Sequence, residues 1–214
     1  MKNEEPERNR FSPLAYLEVK TLPIAFITFF AAVGFASLLS FISSYTSGRG
    51  LAIGGQFFFL SYAVFTVISR PVTGKLFDLK GANFVMVPAF IFYALGLVLL
   101  AWAPNSLCVL LAGALIGLGF GTYMSCSQAI VIKVSPVNHM GLANSTFFIF
   151  MDLGVGLGPL LLGQVILSLG FSSMYAMMAI VVVICLGLYY VLHGRKSSRM
   201  RRAAEMEKLS LANE

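Results

Sequence analysis

The chain has 214 residues, 58% of them hydrophobic and 11% charged, against about 25% charged in a soluble domain. Most of the charges sit in the two ends, residues 1–20 and 195–214, and few are left for residues 21–194. So thin a cover excludes a water-exposed surface, and with it a cytosolic enzyme or a nucleic-acid binder. The net charge of +6 therefore reads as membrane topology and not as a nucleic-acid footprint.

Residues 1–20 form a polar tail of mixed sign with no short apolar stretch and cleavage site, so no signal peptide is expected to be removed. Six apolar stretches follow, at 22–46, 52–76, 83–103, 105–133, 140–168 and 172–193. Each is long enough to cross a hydrocarbon core of about 30 Å as a helix rising 1.5 Å per residue. Turn chemistry or charge bounds each one: SGRG at 47–50, DLKGAN at 78–83, APNS at 103–106, SPVNHM at 135–140 and LGFSS at 169–173. Helices are expected because backbone polar groups in lipid must be satisfied within the segment. The fold class is an all-α polytopic membrane protein. A six-helix transmembrane domain occupies 21–194, and a basic tail occupies 195–214.

With six spans both termini lie on one side. That side collects every lysine and arginine except Arg49, so it is expected to be cytoplasmic, in a plasma membrane. In the C-terminal tail, Arg195, Lys196, Arg199, Arg201 and Arg202 can attract anionic headgroups or serve as a solvated stop signal.

The informative residues are those that cost free energy in lipid. Asp152 lies twelve residues into the fifth span, near mid-membrane, where a carboxylate costs about 2.5–3.5 kcal/mol on the gentler insertion scale. At 100° per residue it shares a face with Ser145, Phe148, Gly156 and Pro159, with Asn144 beside it. A protonatable group there suits proton coupling or the binding of a cationic group; a carboxyl that only hydrogen-bonds a neighbouring helix is the plainer alternative. Gln56, Phe59, Ala63, Thr66 and Arg70 share a face of the second span. Gly117, Gly121, Met124 and Gln128 share one of the fourth, with Tyr123 to one side. These faces can line an aromatic, weakly polar substrate cavity, or they can act as interhelical glue. The third and sixth spans carry almost no strongly polar side chain and are expected outside the cavity, facing lipid. Pro159 lacks a backbone donor in mid-span, which predicts a bend or broken turn there.

Cys108, Cys126 and Cys185 lie in apolar stretches without disulfide or zinc spacing. His139 and His193 sit at helix ends, far apart, and no HExxH is present. No enzyme chemistry, metal or cofactor is expected.

The loop expected after the second span, Arg70-Pro71-Val-Thr-Gly74-Lys75-Leu76-Phe77-Asp78-Leu79-Lys80-Gly81, resembles the G-x-L-x-D-x-x-G signature of the major facilitator superfamily. The run Gly154-Val-Gly-Leu-Gly158-Pro159-Leu-Leu-Leu162-Gly163 is similar to that family's glycine–proline motif of exporters, with Leu162 replacing a glycine. The resemblance implies half of a twelve-helix transporter, built as a 3+3 inverted repeat. Gly113 stands where an N-terminal half usually has arginine, which favours the C-terminal half, with residues 1–20 as the end of a central loop. It implies a cytoplasmic gate motif in Arg70, Gly74, Asp78, Lys80 and Gly81, and a helix-bend motif in Gly154, Gly158, Pro159 and Gly163. The function implied is proton-coupled export of a small molecule by alternating access. The implied partners are the lipid bilayer, protons, a small-molecule substrate, and an N-terminal six-helix half or a second copy. A non-transporting remnant or assembly subunit is the alternative.

Overall fold

The computed structural model describes residues 18, 19 and 21–194, so the tails expected at 1–20 and 195–214 lie almost wholly outside the described residues. Five long apolar helices make up the fold: α1 (Leu22–Gly48), α2 (Ala52–Lys80), α3 (Ala82–Ala101), α4 (Ser106–Val134) and α5 (Met140–Tyr189). No strand occurs among the described residues.

Local chemistry sets the joints. Gly81, at φ 84°, separates α2 from α3, a left-handed conformation that costs glycine little. The Asn105 side chain accepts a hydrogen bond from the Cys108 N–H at 2.9 Å, capping α4. α4 is α-helical over Ser106–Ile116 and Thr122–Val134, with a π-turn over Gly117–Gly121 between. The widened turn leaves backbone groups poorly matched, and Thr66 Oγ1 donates to the Gly117 carbonyl at 3.1 Å.

α5 is too long for a single crossing, and its direction changes at Gly170 (φ 78°, ψ 172°), the one non-helical residue inside it. Its neighbours along α1 trace the reversal. On the first arm, residues 140–169, Gly154 abuts Phe29 and Ala32, and Gly158 abuts Val33 and Ala36. On the second arm, residues 171–189, Ser172 meets Arg49, Tyr175 meets Tyr45, and Cys185 meets Ile27. The first arm therefore runs along α1 and the second runs back beside it. The break falls inside the joint expected at 169–173, whereas the broken turn expected at Pro159 is absent: the backbone there stays helical.

Small residues bring the helices together where lipid supplies no hydrophobic drive. Gly113, Gly117 and Gly121 of α4 stack against Phe58, Tyr62 and Thr66 of α2, ridge on ridge at four-residue spacing. Buried tyrosines then tie helix to helix. Tyr45 donates to the Leu100 carbonyl (2.6 Å), Tyr93 to the Ala31 carbonyl (3.0 Å) and Tyr189 to Asn83 Oδ1 (2.8 Å).

Burial is uneven. The most apolar window of α2 is 22% buried, against 61% in α1 and α4 and 56% in α3. α3, expected to face lipid, is exposed along Ile91, Leu95 and Val98 but buries Met86, Tyr93 and Leu97. A helix without polar side chains still has an inner face. α2 is the helix most open on the surface of this bundle.

Candidate functional site

The gate residues do not form a loop. Arg70 through Lys80 are the last turns of α2, which continues past Pro71 and stops at Gly81. The helix thus runs beyond the apolar stretch expected to end at 76 and stops within the DLKGAN turn expected at 78–83. Arg70, Thr73, Gly74, Phe77 and Asp78 form one wall of an open cleft of about 480 Å³. The facing wall comes from α4 and includes Ser125, Gln128 and Lys133. Lys133 Nζ sits 4.5 Å above the Phe77 ring, a cation–π contact that holds its charge at the cleft. Asp78 forms no ion pair among the described residues. A β-carbon on Gly74 would meet nothing within 4 Å, so this face is open to close approach from outside. Lys80 and Gly81 are not on the cleft. Lys80 Nζ lies 4.4 Å over Phe84, and Gly81 turns the chain.

Gln128 also joins the cleft to α5: its Nε2 donates to Asn144 Oδ1 at 3.2 Å. Two other residues expected to line a cavity, Phe59 and Phe148, are half-buried against the core. Gln56 is exposed on α2. Tyr123 does not join them. It is fully buried, with its hydroxyl 2.8 Å from Thr28 Oγ1, where it pins α4 to α1. An aromatic hydroxyl in an apolar chain suits a cavity and a core equally, and the fourth span's face is set by its glycine ridge.

Asp152 is exposed in a shallow depression with Ile149, Leu153, Gly156 and Leu157. No hydrogen bond or ion pair to it is formed among the described residues. Its neighbours in that depression are apolar side chains and Gly156, which offer a carboxyl no side-chain hydrogen bond. The glycine–proline run divides: Gly154 and Gly158 pack on α1, while a β-carbon on Gly163 would meet nothing within 4 Å. The run thus acts first as a contact surface for α1.

Two clasps on α1 were not foreseen. At the basic end, Glu18 Oε2 lies 2.9 Å from His139 Nδ1, and the Glu18 N–H donates to Thr146 Oγ1. At the opposite end, Arg49 donates to Ser172 Oγ at 2.7 Å and sits over the Tyr45 ring. The isolation of Arg49 on its side of the chain was the available signal. Glu18 carried none, because it stands in a tail full of charges. No group of three or more His, Cys, Asp or Glu able to hold a metal ion occurs among the described residues.

The sequence profile of the Major Facilitator Superfamily matches residues 4–213. An uncharacterised MFS-type transporter of Pseudomonas aeruginosa is 28% identical over 172 residues, which cover 77% of this chain and 40% of that protein. The multidrug resistance protein MdtG of Proteus mirabilis is 25% identical over 190 residues, covering 86% of this chain and 45% of that protein. The chain thus spans less than half the length of these relatives. The crystal structure of the peptide transporter POT in complex with sulfate superposes with a TM-score of 0.70 at 18% identity, over 90% of this chain and 44% of the other.

Proposed function

Because the chain belongs to the Major Facilitator Superfamily, a family of membrane transporters, we propose that it supplies the C-terminal six-helix half of a proton-coupled exporter. On this reading the reversal at Gly170 makes two crossings of α5, so the helices cross the membrane six times as a 3+3 inverted repeat. The basic end, with Arg70, Lys75, Lys80 and Lys133, is cytoplasmic, and the membrane is the plasma membrane. A second six-helix bundle, separately encoded or supplied by another copy, covers the open side. Residues 1–20 and 195–214 are the cytoplasmic flanks of the present chain.

The carrying observation is Asp152: a mid-span carboxylate, exposed and without a partner among the described residues. Lipid does not repay its desolvation, whereas a wet cavity between two bundles does. Gaining a proton makes this group neutral, and losing it restores a charge that seeks water or a cation. Alternation between those states couples the proton gradient to rocking of the halves. The cleft of Arg70, Gly74, Asp78 and Lys133 then closes on the other bundle at the cytoplasmic end, with Asp78 accepting hydrogen bonds from amides at a helix N-terminus. Gln56, Phe59, Gln128, Asn144 and Phe148 are the proposed contacts for substrate, and the relative MdtG, a multidrug resistance protein, supports small amphipathic compounds as the class. Such chemistry needs no metal or cofactor.

The test is flux of an amphipathic dye in proteoliposomes carrying this chain with an N-terminal six-helix half, under an imposed proton gradient. Flux is expected from the pair and not from this chain alone. Asp152→Asn is expected to abolish gradient-driven flux with unchanged expression. Full coupled flux in that variant would refute the proton role; a pair without flux would leave only an assembly function.

A further inference from the structure

On the side of α2 away from the cleft, α2, α3 and α4 enclose an apolar groove of about 320 Å³. That size lies within the range of small-ligand pockets, ~300–1,000 Å³. Ile68, Val72 and Leu76 line it from α2, and Phe84, Pro88 and Phe92 from α3. Thr73 borders both this groove and the gate cleft, but at 100° per residue Val72 and Leu76 point away from Arg70, Gly74 and Asp78.

The three hydroxyls in its walls are turned away from any occupant. Ser69 donates to the Thr66 carbonyl, Thr73 to the Ser69 carbonyl, and Thr122 to Ser69 Oγ. An apolar guest therefore strands no polar group, and the groove offers water few partners. From Ile68 to Leu76 the α2 wall spans about 12 Å, comparable with one leaflet's share of a ~30 Å hydrocarbon core. Lys80 stands one turn beyond Leu76 on the same stripe, its ammonium over the ring of Phe84, a groove residue. A cation thus marks the basic mouth of a dry channel one leaflet deep.

We infer that this groove is a binding site for one anionic phospholipid, with an acyl chain along Ile68, Val72 and Leu76 and its phosphate at Lys80. The dry walls select a hydrocarbon chain, and the lysine selects the charge of the head. The proposed lipid contacts Ile68, Val72, Leu76 and Lys80 lie neither on the cleft nor beside Asp152.

The experiment reconstitutes the full chain in phosphatidylcholine vesicles and measures, by spin-label electron resonance, the immobilised fraction of spin-labelled phosphatidylglycerol and of spin-labelled phosphatidylcholine. Wild type is expected to retain phosphatidylglycerol preferentially. Lys80→Gln is expected to lower that preference by about fivefold, the factor supplied by one lysine near a charged surface. Val72→Trp fills the groove from an exposed position and is expected to release both lipids, whereas Val183→Trp, on the exposed face of α5, is expected to change neither. Equal retention of the two lipids by wild type overturns the inference. So does retention unchanged in both groove variants. If Val72→Trp instead blocks pairing with a second bundle while lipid retention is unchanged, the groove is a protein contact and the inference fails.

Discussion

Replacing Gly154 by alanine puts a methyl group against the backbone carbonyl of Phe29 and 2.9 Å from Ala32 Cβ. Neither obstacle is the end of a flexible side chain, so α1 and the first arm of α5 must move apart. Overpacking of this kind costs about 1–3 kcal/mol; a backbone obstacle argues for the upper end, near 3 kcal/mol. Against this, alanine improves helix propensity over glycine by about 0.8–1 kcal/mol. The net cost is about 2 kcal/mol, roughly 30-fold in the folding equilibrium. Gly156 is the internal control. It lies half a turn away on the same arm and is exposed, and a β-carbon there meets nothing within 4 Å. Gly156→Ala keeps the propensity gain without the clash and should be neutral or mildly stabilising. Unfolding of each purified variant by titration of denaturing into mild detergent, followed by circular dichroism, gives the comparison. Equal stability of Gly154→Ala and Gly156→Ala would refute the contact between α1 and α5.

Gly170→Ala places a β-carbon at φ 78° and ψ 172°, a region essentially reserved for glycine, and should destabilise the reversal of α5 by about 1–3 kcal/mol, read by the same unfolding titration; no loss would argue that the chain does not turn there. Tyr123→Phe removes one interhelical hydrogen bond and should cost about 0.6 kcal/mol, with dye flux of the paired protein unchanged, because the ring is core and not cavity. Glu18→Gln weakens the clasp on His139 and should speed proteolysis of the segment before α1 while leaving the helical content of the circular dichroism spectrum intact.

Apolar length located the long helices within a few residues, with the stretches at 140–168 and 172–193 joined as the two arms of α5, since that term is local and large. What escaped it depends on contact between distant residues. The gate run matched a motif expected in a loop, yet α2 carries those charges as far as Lys80 and ends only at Gly81. Pro159 and Gly170 both looked like breaks, and only the glycine took a conformation closed to other residues. The four-residue glycine ridge of α4 was visible in the sequence, but its match to Phe58, Tyr62 and Thr66 required the two helices side by side. Of the candidate site, helical faces singled out Gln128 and Asn144 separately, but their hydrogen bond required α4 and α5 side by side. Tyr123 was misleading for the same reason, since a face of the fourth span does not say which neighbour fills it.

The most direct measurement places a nitroxide at Asp152→Cys in a background without Cys108, Cys126 and Cys185, and compares its collision rates with oxygen and with a water-soluble nickel chelate. With an N-terminal six-helix half present, the account predicts contact with the nickel chelate, as in a water-filled cavity between bundles. Collisions with oxygen alone, unchanged by the second half, would mean that this position faces lipid, and would contradict it.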